Sequence, residues 1–324
     1  MERSFEGNRV VTVFGGSGFV GRHLVRALAR RGWRVKVAVR RPERAFHLQP
    51  LGAVGQIVAV QANLRFPASI ERALAGASAV VNLTGILAES GAQRFDAIHR
   101  DGARAVAEAA AAAGIERFVH MSALGAALES DSLYARSKFA GEKAVAAVLP
   151  QASIIRPSIQ FGPEDGFFNR FASIARMSPV VPLIGANIRF QPVFVGDVAS
   201  AIAACVDGEV AAGRIYELGG AEIRTMRQCL ELIVQEIDRR RILLPVPFPL
   251  AALIGTIAQY LPGKLLTADQ VRQLQHDNVV SAAAIAEGRT LEAFGIVPTG
   301  LAAIMPLYLE RYRPRGQFDR RRPA

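Results

Sequence analysis

The stretch "RVVTVFGGSGFVGRHLVRALARRGWRVKVAVRRPERA", Arg9 to Ala45, limits the possible folds of this 324-residue chain more than any other. An apolar run leads into Gly15, Gly16, Gly18 and Gly21, and an amphipathic helical pattern follows at once. Strand, tight turn and helix in that order present free backbone N–H groups at a helix N-terminus, where the peptide dipoles favour negative charge. Glycines leave the turn open for close backbone approach. They fit Gly15-x-x-Gly18-x-x-Gly21 and Gly16-x-Gly18-x-x-Gly21, so the turn is read as a dinucleotide pyrophosphate site. Ser17, Phe19, Val20 and Arg22 fall within it. A turn kept glycine-rich only for packing is the competing reading.

The pattern continues. Strands are expected at Val10–Phe14, Arg34–Val39, Gln56–Gln61, Ala79–Leu83, Arg117–Met121 and Ser153–Arg156, with helices near Gly18–Arg31, Ala68–Ala75, Phe95–Ala113 and Leu133–Val148. Several strands are continuously apolar, as expected when helices cover both faces of a parallel sheet. The alternation predicts an α/β, doubly wound parallel sheet with ligands at the carboxyl ends of its strands. After Pro157 the alternation fades, so residues 1–157 are read as the dinucleotide-binding core and 158–324 mainly as a smaller C-terminal lobe. Segments near 190–240 are expected to return to the core, among them "GRIYELGG" with "TMRQCLELIVQEI"; residues 313–324 form a basic tail.

Sites that prefer NAD carry an acid about 20 residues past the glycines, which binds the ribose 2′-OH. Arg40 fills that slot and Arg41 follows. Guanidinium groups there suit a 2′-phosphate, which predicts NADP(H) in preference to NAD(H), with solvated surface arginines as the competing reading. "YARSK" places Tyr134 and Lys138 four apart, on one helix face. A nearby ammonium lowers a tyrosine pKa, so the phenol can exchange a proton with a carbonyl or alcohol during hydride transfer. Ser122, just after the fifth strand, is a candidate to polarise that carbonyl. His99 and His120 have no second ligand beside them, and no metal site is expected; as acid–base groups they compete with a packed role. Glu164 and Asp165 line a cleft or sit in an exposed turn.

The formal charge of +11 favours acidic partners such as phosphates, anionic lipid or an acidic protein face. Nucleic acid is disfavoured, because the arginines are scattered without interleaved aromatics. Cys205 and Cys229 lie in apolar stretches without metal-ligand spacing, which suits buried thiols in a reducing compartment. The first strand begins within ten residues of Met1, which argues against a targeting peptide. "PLAALIGTIAQYLP", Pro249 to Pro262, is too short to span a bilayer, which takes about 20 residues. It is read either as a core helix of the lobe or as an exposed apolar helix docking on a membrane or membrane-protein partner, with Lys264 and the basic tail near acidic lipid.

Together "GGSGFVG", "VVNLTG", "YARSK", "IIRPSIQFGP" and "YELGG" resemble the short-chain dehydrogenase/reductase superfamily, in its extended or atypical branch, over nearly the whole chain. More narrowly, "RPSIQFGPEDGFFNRFASIARMSPVVPLIG" and "RFQPVFVGDVA" look like the nucleotide-binding accessory subunit of respiratory complex I and its bacterial relatives. The resemblance implies a Rossmann-type fold, a bound NADPH and a structural or assembly role without turnover. It also implies a place in the bacterial cytoplasm, peripheral on the inner membrane, with complex I subunits as partners. By resemblance Gly15, Gly18, Gly21, Arg40, Tyr134 and Lys138 contact the nucleotide, and Asn63, Leu64, Leu83, Thr84, Gly85 and Pro157 complete its site. Departures from the enzymatic pattern are Phe14 in place of Thr, Asn63 in place of an adenine-binding Asp, and His99 in place of a relay Asn. The usual catalytic serine position falls on Ala123, one residue past Ser122. Two other functions stay open: a free-standing NAD(P)-dependent reductase, dehydrogenase or epimerase using Tyr134 and Lys138, and a redox sensor whose partner reads NADPH occupancy.

Overall fold

A computed structural model describes residues 9–259 and 266–314. The chain divides into two compact units. The first holds the described residues of Met1–Pro157 together with Gly196–Leu218 and Ser281–Ile296. Its elements are β1 (Val10–Phe14), α1 (Phe19–Arg30), β2 (Arg34–Val39), β3 (Ile57–Gln61), α2 (Pro67–Leu74), β4 (Ala79–Asn82) and α3 (Asp101–Ala112). There follow β5 (Arg117–Met121), α4 (Leu133–Val148), β6 (Ser153–Pro157), α5 (Val195–Asp207), β7 (Ile215–Leu218) and α6 (Ala282–Ala286).

Seven parallel strands run in the order β7-β6-β5-β4-β1-β2-β3. Every residue of β1 and β4 is buried, because helices cover both faces of the sheet. The chain turns from β1 toward β2 and β3 on one side and toward β4 to β7 on the other. That reversal opens a crevice at the carboxyl ends of β1 and β4. Helix α1 buries Val20, Leu24, Val25 and Leu28 on one stripe. Leu24, Val25 and Leu28 are fully enclosed, each contributing roughly 1.5–3 kcal/mol of transfer free energy.

The later segments join this unit through charge. Asp207, at the end of α5, accepts hydrogen bonds from Arg9, from Arg31 (2.6 Å) and from the Trp33 indole (2.8 Å). Arg156 on β6 grips Glu142 of α4 with two bonds (2.8 and 2.6 Å) and lies 3.6 Å from Glu217 of β7. Ser281 then donates its backbone N–H to Glu217 (2.9 Å).

The second unit has its own apolar cluster, in which Phe161, Phe168 and Leu183 pack with Met226, Leu230 and Met305. The helix Met226–Glu236 therefore belongs to this unit, and of the stretch near 190–240 only Gly196–Leu218 lies with the sheet. The apolar stripe of Met226, Cys229, Leu230 and Ile233 finds its complement in the helix Phe168–Met177, not in the sheet. Asp165 lies in neither an exposed turn nor an open cleft. It is buried and accepts the N–H groups of Phe167 (2.9 Å) and Asn169 (3.2 Å), while Glu164 takes a positive φ of 70°. The helix Phe248–Ala258 buries only Ala251 and Gly255 and exposes Leu250, Leu253, Ile254 and Ile257. Pro262, Lys264 and the tail from 315 onward lie outside the described residues. Among the described residues no helix is long and apolar enough to cross a membrane.

One close approach couples fold to site. Residues Asp96–Arg100 form a π-helical turn leading into α3, and its His99 carbonyl faces α4 at Gly141. A Cβ at Gly141 would sit 2.1 Å from that oxygen, closer than any real contact. Alanine inside a helix ordinarily stabilises by about 1 kcal/mol relative to glycine. Here Gly141→Ala is expected to destabilise by about 1–3 kcal/mol through overpacking. A lower midpoint in urea unfolding measures it, and a raised midpoint would refute the close approach.

Candidate functional site

The turn after β1 is held in shape by sterics. Gly15 has φ +77°, and a Cβ on it would lie 3.2 Å from the Leu83 carbonyl carbon. A Cβ on Gly21 would lie 2.5 Å from the backbone of Gly16, so only glycine lets α1 rise so close beneath the turn. Gly18 caps the helix without a side-chain hydrogen bond, and its carbonyl accepts the first helical N–H, from Arg22 (3.1 Å). The N–H groups of Phe19, Val20 and Gly21 therefore have no acceptor within the helix. This cradle fits a pyrophosphate.

Around it stand the other expected contacts. Arg40 and Arg41 are exposed at the end of β2, and Arg22 turns its Nε back to the Gly18 carbonyl (3.4 Å). Ser17 and Phe19 are half-buried, while Val20 packs inward. Asn63 spends its side-chain oxygen on the Arg65 N–H (3.2 Å), closing a local turn. Leu64 points into the core against α3, so its backbone alone faces the strand ends. Leu83 binds its N–H to the Phe14 carbonyl (3.0 Å), and Thr84 binds Asn82 Oδ1 (3.1 Å). Gly85 lies near His99 and Lys138: a Cβ there would be 3.6 Å from His99 Nε2 and 3.8 Å from Lys138 Nζ. Pro157 is buried and accepts the Leu124 N–H (3.0 Å).

At the other half of the carboxyl edge, Tyr134 and Lys138 project from the first turns of α4, which Ser132 caps. The Tyr134 ring meets His99 edge-on at 5.4 Å and Phe95 at 5.9 Å. Burial pushes its phenol up to about 12. Lys138 is buried and donates to the Met121 carbonyl at 2.6 Å. Burial pushes its ammonium down to about 8, against the pull of Glu142. The net shift of the phenol is upward, opposite in direction to the lowering expected from a nearby ammonium.

His99 is fixed and neutral. Its Nε2 accepts the Ile86 N–H (3.0 Å), so Nδ1 carries the proton and donates to Ser137 Oγ (2.8 Å). Burial, then the Lys138 charge, push it down to about 3. Burial likewise drives His120 well below its ordinary range, with Lys138 and His99 adding to the effect. Neither imidazole is an acid at neutral pH. Ser122 is buried, its N–H is held by the Ile155 carbonyl (2.7 Å), and its hydroxyl has no hydrogen-bond partner among the described residues. The partly exposed residue next to it is Ala123. Phe95, Ser137, Asn82 and Gly141 were not anticipated. Only Gly141 left a signal, as a glycine inside a strong helical pattern.

Lys138 gives a pH signature. Between about 8 and its ordinary 10.5 the unfolded chain holds a proton that the native lysine has lost, so stability rises with pH across that window. The nucleotide-free protein is expected to gain stability from pH 8 to 10.5, and Lys138→Met to lose that gain, measured by denaturant unfolding at each pH.

Comparison with known proteins agrees with this geometry. Residues 11–219 match the family described as the NAD dependent epimerase/dehydratase family. The mitochondrial NADH dehydrogenase [ubiquinone] 1 alpha subcomplex subunit 9 of Arabidopsis thaliana is 34% identical over 327 residues, covering 97% of this chain and 80% of its own. A ceramide reductase of Caulobacter vibrioides is 40% identical over 195 residues, 60% of each chain. An NADPH-dependent quinone oxidoreductase from Escherichia coli, solved with NADPH, superposes with a TM-score of 0.70 at 20% identity, covering 90% of this chain and 97% of that one. The family match runs from within β1 to the residue after β7 and so takes in the whole parallel sheet with its glycine turn: the chain belongs to the NAD dependent epimerase/dehydratase family.

Proposed function

We propose that the protein holds NADP(H) on its first unit and serves as an accessory or assembly subunit of a respiratory complex of the complex I type, without turnover. The observation that carries this reading is the glycine cradle beneath the turn after β1, together with Ala123, which offers no hydroxyl at the partly exposed position past β5. Near-full-length similarity to a complex I subunit supports the same reading.

The cradle N–H groups of α1 hold the pyrophosphate, and Arg40 and Arg41, exposed at the end of β2, select a 2′-phosphate. A bound nicotinamide supplies hydride chemistry. The residues facing it hold the nucleotide in place: Lys138 toward the ribose, and Phe95, His99 and Tyr134 as a wall. The place we assign is the cytoplasmic face of a bacterial inner membrane. The positive net charge and the exposed leucines of Phe248–Ala258 suit acidic lipid beside a membrane-arm partner.

A second reading, a free-standing reductase, draws support from the 40% identity to a protein named ceramide reductase. In it Tyr134 donates the proton and Lys138 holds the ribose.

Native purification with mass spectrometry of bound nucleotide and co-purifying proteins separates the two. NADP(H) with membrane-arm subunits is the expected result; a free protein that reduces a carbonyl compound overturns it. Replacing Arg40 with Asp is expected to weaken NADPH about 10- to 100-fold and leave NADH equal or tighter, by calorimetry. Tyr134→Phe should weaken nucleotide affinity by no more than about tenfold, the loss of one neutral hydrogen bond at most.

A further inference from the structure

Four charges, all largely withdrawn from solvent, alternate in sign from α4 into the sheet: Lys138, Glu142, Arg156 and Glu217. Lys138 and Glu142 lie one turn apart on α4 and are only 4% and 2% exposed. That spacing puts them on one helix face, with Cβ atoms roughly 5–6 Å apart. Arg156 of β6 donates to both oxygens of Glu142 (2.8 and 2.6 Å) and lies 3.6 Å from Glu217 of β7. Glu217 in turn accepts the Ser281 N–H (2.9 Å). Two guanidinium donors on one carboxyl group call for the carboxylate, which accepts on both oxygens.

The other groups around the Lys138 ammonium bring no charge to balance it. Met121 offers a carbonyl (2.6 Å), and His99 and His120 are neutral. Tyr134, one turn earlier, keeps its phenol proton. On α3 and the turn before it, Arg100 pairs with Asp101 (2.8 Å) and Arg104 with Glu108 (2.7 Å) at the surface. Elsewhere on α4, Arg136 donates to the Ser130 carbonyl and Lys143 lies over the Phe139 ring. Among the described residues, Glu142 is the carboxylate whose charge reaches Lys138. Pinning α4 to the sheet would not by itself need ions, because apolar side chains of similar volume serve as well or better. A carboxylate one turn from a buried ammonium does what such packing cannot.

We infer that Glu142, fixed by Arg156, is the counter-ion that keeps Lys138 charged in its buried place, and so is a positioning residue of the nucleotide site. It acts through Lys138 alone. Its consequence for nucleotide binding rests on Lys138 facing the ribose, as assigned above; the counter-ion role does not.

The chain has four lysines, Lys36, Lys138, Lys143 and Lys264, so the side-chain carbon signal of Lys138 can be followed by NMR in the full, lysine-labelled protein. Its loss in Lys138→Met assigns it. In the nucleotide-free protein this signal is expected to titrate at about 8. Glu142→Gln is expected to lower that midpoint by about one pH unit or more, the effect of losing an opposite charge within reach. Glu142→Asp keeps the charge and is expected to hold the midpoint within about half a unit of the parent. If an unpartnered Arg156 keeps Glu142→Gln from folding, Glu142→Gln combined with Arg156→Met removes both charges and is expected to move the midpoint the same way. A midpoint unmoved in the neutral variants, or lowered as far by Asp as by Gln, overturns the inference. Titrating NADPH into the same variants across that pH range makes the two readings fail separately. Affinity lost along with the Lys138 charge supports both. A shifted Lys138 with NADPH affinity unmoved upholds the counter-ion and overturns the ribose assignment.

Discussion

Helix α1 approaches the end of β1 so closely that no side chain fits between them. A Cβ on Gly21 would overlap the Gly16 backbone at 2.5 Å, and Gly15 can turn only through positive φ. This contact aims the first N–H groups of α1 across the crevice where the sheet reverses direction. It also brings Leu83 and Thr84 of the neighbouring strand end against the turn. The nucleotide cradle is therefore a consequence of backbone packing, and it does not depend on any side chain of the reaction half.

The reaction half is governed by burial. Lys138, His99, His120 and Tyr134 share a space with little water, where each charged form is disfavoured. The lysine donates to the Met121 carbonyl, Glu142 offsets part of its desolvation, and its charge pushes both histidines further toward neutrality. A fixed neutral His99 ties Ile86 to Ser137 and so clamps the loop after β4 onto α4. Ala123 takes the partly exposed position past β5, so that position offers no hydroxyl to polarise a carbonyl.

Much of this was legible in the sequence because it is local. β1, β2, β5 and α4 lie at their predicted bounds, since continuous apolar runs and helical periodicity are properties of short windows. Gly196–Leu218 lies with the sheet in the structure, but Met226–Glu236 does not. Its amphipathic stripe specifies burial without specifying the partner that covers it.

By itself, the sequence determined the strand–turn–helix with its four glycines, the parallel alternation, the arginine pair after β2 and the Tyr134–Lys138 spacing. Tertiary structure alone decided that Ser122 is buried and Ala123 partly exposed, that Lys138 reaches a carbonyl on β5, and that His99 is held neutral. It also decided that the helix Phe248–Ala258 buries only Ala251 and Gly255. The reason is physical: spacing along the chain sets which residues share a face. Solvent exclusion and hydrogen-bond partners come from segments far away in sequence, and they set charge, orientation and exposure.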